Sequence, residues 1–334
     1  MADPTRLPLV SSEIAGLWNS YMSDTIIVCI LKYFLNNVED ADTRDLLQQT
    51  YDLSSTHIQD LINIFNQEKL TIPKGFDDSD VNVTAPRLFT DHFYSAYLCY
   101  MARVGMHNYT LILNQISRSD IRNYFSNRIT ENINLYNKTT DVKLSQGIFI
   151  KAPRVEVTQG IQFVESQSFI TDLFGEKRSL LAIEITHIFS IIYANLVGRA
   201  ITIAFGQVSK DDKVSDYFFQ GKELATTYIY DLSGLLTKEE IPIPSTSDSF
   251  VTSSIVPPFS EKLMMSHCAI LSSSAISSLG MAMADSLRAD LEAKYIKYVA
   301  ESMKYSKKGA NIMIDNQWLE QPPQAVNHEN LIEV

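Results

Sequence analysis

The chain repeats itself once from end to end, and this limits its architecture more than any other feature. Adding 171 to residue numbers in the first half carries Glu13 to Glu184, Trp18 to Phe189, Leu53 to Leu224, Ile58 to Ile229 and Pro73 to Pro244. Beyond Pro73 the offset is 170, carrying Val81 to Val251, Phe89 to Phe259, Asp120 to Asp290, Ile133 to Met303 and Pro153 to Pro323. A unit of that length is a whole domain, far longer than the roughly 20 to 50 residues of a solenoid element. With 45% apolar residues in a chain of 334, two domains and two cores, one per copy, are expected.

Each copy carries four long helical patterns. In the first, apolar residues recur at three- and four-residue steps through Leu17, Tyr21, Val28, Leu31 and Leu35, then through Leu46, Leu53, Leu61 and Ile64. A polar stretch between Gln67 and Phe89, with Pro73 and Gly75, is too long for a simple turn and reads as a crossover. Two further helices are predicted from Phe89 to about Ile116 and from Ser119 to about Gln146, where Gly147 stops the last. The second copy repeats the order from about Leu180 to Asp315, and its third helix is rich in small residues from Ser272 to Gly280, suited to close packing or to a partner face. Two long helices, a long crossover and two more form ferritin-like connectivity, with the crossover making the second and third helices parallel. The fold class expected is all-α, two tandem ferritin-like four-helix bundles: residues 1–147 and 174–323, joined by an extended linker over 148–173 that packs across the junction, and followed by a polar tail over 324–334.

A formal charge of −11 leaves no basic face for phosphates, so nucleic acid and anionic membranes are excluded as partners. Cys29, Cys99 and Cys268 lie in apolar runs without metal or redox spacing and read as reduced, buried thiols of a cytoplasmic protein. The N-terminus lacks the apolar stretch of a signal peptide. The most apolar helix, His187 to Val208, carries Asn195 and Arg199 and reads as a buried bundle helix rather than a membrane span. No phosphate-binding loop, nucleophile elbow or paired Cys and His is present.

The tandem repeat, together with Ser12-Glu13-Ile14, Ala85-Pro86-Arg87-Leu88-Phe89-Thr90-Asp91, Glu184-Ile185-Thr186-His187-Ile188-Phe189 and the ending from Gly309-Ala310-Asn311 to Gln321-Pro322-Pro323, resembles an uncharacterised family of tandem ferritin-like proteins of Bacillus-type spore formers. The resemblance runs from about Leu9 to Pro323. It implies two four-helix bundles and brings a loose spore-coat label, but no catalytic residue.

Carboxylate bundles of the ferritin type draw a Glu from two helices and a Glu-x-x-His pair from the other two. Here the Glu-x-x-His places hold Ser54-x-x-His57, Glu131-x-x-Asn134, Ala225-x-x-Tyr228 and Glu301-x-x-Lys304, so a complete di-iron set is missing in both copies. Glu184 and His187 have the spacing but sit in a first turn, where a carboxylate complements the helix dipole. Matching heights along the bundle at ~1.5 Å per residue brings Asp24, His57, His107 and Glu131 to one level. Such a set can hold one divalent cation, Fe, Mn or Zn, or form an ion-pair network with no metal. In the second copy Arg199, Glu223, His267 and Glu301 share a level and are expected to form a structural ion-pair cluster.

Three functional classes follow. The first is a non-catalytic bundle that associates with itself or with spore-layer proteins and has no cofactor. The second is a metalloprotein with one cation in the first bundle and an oxidase or storage role. The third is a carrier of an apolar ligand in the second bundle. Trp318 reads either as a contact residue or as a plug at the end of the last helix.

Overall fold

The computed structural model describes residues 7–156, 160–171, 177–244 and 249–326, so parts of the expected linker and crossover and most of the expected tail lie outside the described residues. The first copy comprises α1 (Ser11–Asn37), α2 (Ala41–Gln67), a 3-10 turn (Asp78–Asp80), α3 (Asp91–Leu113) and α4 (Ser119–Ser145). A short α5 (Ser168–Thr171) precedes the second copy, α6 (Ala182–Val208), α7 (Asp212–Lys238), α8 (Glu261–Asp285) and α9 (Ala289–Asp315). The chain is all-α and duplicated, as the repeat requires.

Carboxylates at equivalent positions set the helix order. The starts of α1 and α4 are tied by Glu13, which accepts from the backbone N–H groups of Ser117 (3.0 Å) and Arg118 (2.9 Å). Those of α2 and α3 are tied by Asp91, which accepts from the N–H groups of Glu39 and Asp40. The crossover therefore returns the chain along α1, and α2 and α3 run parallel. In the second copy Glu184 accepts from Leu287 N–H at 3.1 Å, and Glu261 accepts from Lys210 and Asp211 at 2.8 Å each. Arg118 pairs with Glu68 and Asp120; its counterpart Arg288 pairs with Glu239 and Asp290. Asp40 and Asp211 each cap the following helix. These side chains satisfy the orphan N–H groups of helix starts. Gly147 ends α4 with φ +70°, and Gln317, its counterpart after α9, adopts the same left-handed backbone at +57°.

The two copies meet about a pseudo-two-fold axis. Val81 pairs with Phe259 and Phe89 with Val251 in antiparallel bridges between the crossovers. Since 81 corresponds to 251 and 89 to 259, the interface is isologous, each residue meeting its partner's counterpart. The result corrects the picture of one core per copy. The largest hydrophobic cluster takes Phe34, Phe89, Phe93 and Tyr97 from the first copy and Phe205, Phe218 and Phe259 from the second, and two smaller clusters fill the outer part of each bundle. Tyr33 meets Phe259 edge-on at 5.2 Å, and Phe93 meets Phe250 at 5.8 Å. Trp318 packs on this shared core, and Glu320 accepts from the N–H groups of Lys74 and Gly75, so the segment after α9 docks on the first copy's crossover.

Because helices close the junction directly, the linker has less to bridge than expected. Ile150 and Val155 pack on cores, whereas Ile161 and Phe163 are 89% and 86% exposed. Helices α1, α6 and α8 are long and apolar enough to cross a membrane, but α1 and α6 bury more than half of their most apolar stretch inside the fold.

Two pairs of substitutions between the copies show volume conserved across a core. Tyr217 of α7 and Tyr305 of α9 stack at 4.2 Å with planes 4° apart, and their hydroxyls press on Gly309 and Gly221. The first copy has Leu46 and Leu135 in place of the tyrosines and Thr139 and Thr50 in place of the glycines. Gly309→Ala would drive a Cβ into the Tyr217 hydroxyl. A net loss of about 1 to 2 kcal/mol is expected, after the roughly 1 kcal/mol that replacing a mid-helix glycine returns. Adding Tyr217→Leu should recover part of it, and simple additivity in urea unfolding of single and double variants would refute the coupling.

Candidate functional site

Asp24 and His57 interrupt the apolar stripes of α1 and α2 at mid-height, and both side chains turn inward: Asp24 is 5% and His57 6% exposed. His57 lies between two carboxylates, with Nδ1 3.4 Å from Asp24 Oδ1 and Nε2 2.9 Å from Glu131 Oε2. Arg128, one turn before Glu131 on α4, places Nε 3.1 Å from the same Glu131 oxygen and its guanidinium over the Tyr124 ring at 4.9 Å. Burial pushes the Asp24 carboxyl up to about 8, against the pull of Arg128 and of Ser54 and with some repulsion from Glu131. Burial also raises Glu131, with Arg128 opposing.

Three of the four residues expected at this level, Asp24, His57 and Glu131, thus come together, but not as a metal centre. The carboxylates lie at opposite ring nitrogens, so the lone pairs do not converge on one point, and the Arg128 cation already neutralises Glu131. Among the described residues no group of three or more His, Cys, Asp and Glu is arranged to hold a metal ion. The residues present do not fit the resident metal of a carboxylate bundle.

His107 is the fourth, and it is elsewhere. Its Nε2 lies 2.8 Å from Ser277 Oγ on α8, its own counterpart across the pseudo-two-fold axis. The small-residue stretch of α8 therefore does meet the sister bundle. The cluster expected in the second copy does not form. Arg199 lines a surface groove with Phe250 and Val251, and Glu223 is exposed beside Lys222. Glu301 accepts from the Tyr228 hydroxyl at 3.2 Å. His267 is 1% exposed, with no partner at either nitrogen, between Tyr97 and Phe205; burial pushes it down to about 3, a neutral imidazole. Glu184 and His187 also diverge: Glu184 takes a bidentate Arg178 fork, while His187 meets Asp285 at 2.9 Å.

Beside Asp24 lies a cavity of about 120 Å³ between α1 and α3, bordered by Ser20, Ser23, Thr50, Tyr109 and Leu135 and closed by Ile270 of the second copy. A cavity of about 100 Å³ occupies the equivalent place in the second bundle, where Ile191, Ala194, Asn195 and Gly221 replace Ser20, Ser23, Asp24 and Thr50, and where Tyr100 of the first copy forms part of the wall. Each cavity is completed by the other copy. A further buried cation, Lys143, gives its Nζ to the Tyr193 hydroxyl at 3.1 Å and packs on Phe149. Met313 and Met22 stand at the two equivalent positions, so a lysine breaking a helical apolar pattern in one copy alone was the available signal.

A family model described as protein of unknown function (DUF3231) matches residues 2–161 and again residues 168–331. No curated protein matches. Among solved structures, a "putative spore coat protein" from Bacillus halodurans C-125 is similar at 19% identity and a TM-score of 0.42, over 46% of this chain and 99% of that one.

Proposed function

The chain belongs to the DUF3231 family, one family unit in each copy, and from that premise we propose that it is a non-catalytic helical-bundle protein that works by association, with copies of itself or with proteins of a spore layer. The observation that carries the reading is a set of exposed apolar residues at equivalent places in both copies: Leu111 and Met281, Ile133 and Met303, Leu144 and Ile314. Ile296, Met303 and Ile314 follow one face of α9, since steps of 7 and 11 residues return to the same side of a helix. A solvated face has no use for such a stripe, whereas a contact face does. Within the first bundle Glu131 pairs with His57 and Arg128, which supports a structural use for these groups.

Sedimentation velocity across a range of concentrations tests this. Association that strengthens with concentration and is lost on Met303→Lys is expected, and a monomer at every concentration would refute it. Elemental analysis of untagged protein purified without chelator tests the other half: iron, manganese or zinc bound in fixed stoichiometry, with oxidase activity, would overturn the non-catalytic reading. A second reading, a carrier of a small apolar ligand, is favoured by the cavity in the second bundle and is checked by mass spectrometry of extracts of the purified protein.

A further inference from the structure

The first-bundle cavity is bordered by a carboxyl group that its sister lacks. Asp24 borders it, and one of its carboxylate oxygens, Oδ2, is buried with no hydrogen-bond partner in the fold. The other oxygen faces His57, and Arg128 lies against Glu131 and the Tyr124 ring, so neither side chain caps Oδ2. A buried carboxylate without a donor is costly: below about pH 8 the deficit is met by the proton the carboxyl retains, and above it a ligand that brings a donor can take that place.

The remaining wall defines that ligand. Ser20 already donates its hydroxyl proton to the Gly16 carbonyl at 2.8 Å, so what it offers the cavity is lone pairs. Asn19, Ser23 and Asn108 also border the space and can both donate and accept, so the feature that selects among ligands is the Asp24 charge, which asks for a cation with donors such as an ammonium. Beyond it the wall turns apolar through Ile27, Leu98, Ile112 and Leu135, with Ile270 of the second copy closing over them. At about 120 Å³ the space is of the order of cavities that take one benzene-sized molecule, or an alkyl chain of about four or five carbons. In the second bundle Asn195 and Ile191 remove both the charge and the hydroxyl.

We propose that the cavity of the first bundle is a binding site for a short primary alkylammonium ion, its head against the Asp24 carboxylate and its chain along the apolar wall between α1 and α3. The site goes beyond the association reading and stands or falls separately from it. Each substitution that tests it already exists in the sister bundle, so the variants copy a solution the fold uses.

Isothermal titration calorimetry of the full chain at pH 9, above the value near 8 at which Asp24 ionises and below the about 10.4 of an alkylamine, with n-pentylamine and, separately, 1-pentanol reads the site directly. The amine should bind with one site per chain and at least about ten-fold more tightly than the alcohol, the preference a charge-assisted bond gives. Asp24→Asn should reduce amine affinity by at least about ten-fold and erase the preference, with cooperative thermal unfolding retained as the check on folding. Ser20→Ile should narrow the cavity and weaken both ligands. No amine binding, equal affinity for amine and alcohol, or an amine affinity unchanged in Asp24→Asn would overturn the proposal, the last by assigning the heat to the acidic surface.

Discussion

Glu13→Ala and Glu184→Ala are each expected to lower the unfolding free energy by about 3 to 5 kcal/mol, the range for breaking a buried charged network on one side. Both carboxylates are fully buried. Glu13 accepts from Val10 N–H at 2.9 Å, Ser117 N–H and Oγ at 3.0 Å each, and Arg118 N–H at 2.9 Å. Glu184 accepts from Leu181 N–H at 2.9 Å, Leu287 N–H at 3.1 Å and both Arg178 Nη atoms. Alanine strands these donors together, and a helix start cannot tilt to reach water without opening the bundle end. Burial alone would raise the Glu13 carboxyl, but its donors outweigh burial and hold it below the ordinary 4.5; Glu184 is lowered in the same way, with Arg178 the chief donor. A depressed folded value means that the stabilisation is complete above the unfolded carboxylate range and is lost as pH falls through the folded value. Wild type should therefore lose stability steeply below about pH 4.5. Urea unfolding followed by circular dichroism checks both points: a loss under 1 kcal/mol in either variant, or an unaltered acid limb, would refute the clip.

The duplication made most of the fold legible. Helix bounds read from apolar periodicity fall within two or three residues of those observed, because each helix is long and strongly patterned. The same offset table already held the end clips: Glu13, Glu68, Arg118 and Asp120 recur as Glu184, Glu239, Arg288 and Asp290. Charged residues kept in both copies serve what the copies share, the closure of the bundle. Where the copies differ, the table points to what is private to one: Asp24, His57 and Arg128 against Asn195, Tyr228 and Tyr298. Height matching brought Asp24, His57 and Glu131 together because their separations in rise are small and their stripes unambiguous. It failed for His107 and for His267 for one physical reason. Each bundle was read as closed, whereas the faces of α3 and α8 that bear His107 and His267 turn toward the sister copy, and no period within one unit reports a partner. Arg128 was missed although it stands one turn from Glu131, since a cation on the margin of a stripe looks like a solvated residue until burial is known. The exchange of Tyr217 and Gly309 for Leu46 and Thr139 could have been read from the alignment of the copies by volume alone.

Asp24→Asn should stabilise the protein, by an amount that grows with pH. In the fold the carboxyl is raised to about 8 from the 3.8 of an exposed aspartate, chiefly because burial disfavours its charged form. Below about pH 4 both folded and unfolded chains carry the proton, and the group contributes nothing. Between about 4 and 8 the unfolded chain releases a proton that the folded chain retains at the expense of its affinity for solvent base, so stability falls as pH rises, and the fall ends above the folded value. His57 on α2, Arg128 and Glu131 on α4 and Tyr109 on α3 surround the group, and Arg128 already offsets part of the cost. Asparagine keeps the shape and an acceptor for His57 while removing the ionisation. Its advantage over wild type is expected to be near zero at pH 4 and about 3 kcal/mol at pH 8, below the full linkage value because neighbouring charges readjust. Glu131→Gln should not reproduce this, since that carboxylate is paired with Arg128 and losing the charge leaves a buried guanidinium short of its partner. Unfolding free energies of the two variants and wild type at pH 4, 6 and 8 separate the cases. An Asp24→Asn effect that is flat with pH, or destabilising throughout, would mean that Asp24 is ionised and paired in the fold, and would remove the free carboxylate oxygen on which the ammonium site depends.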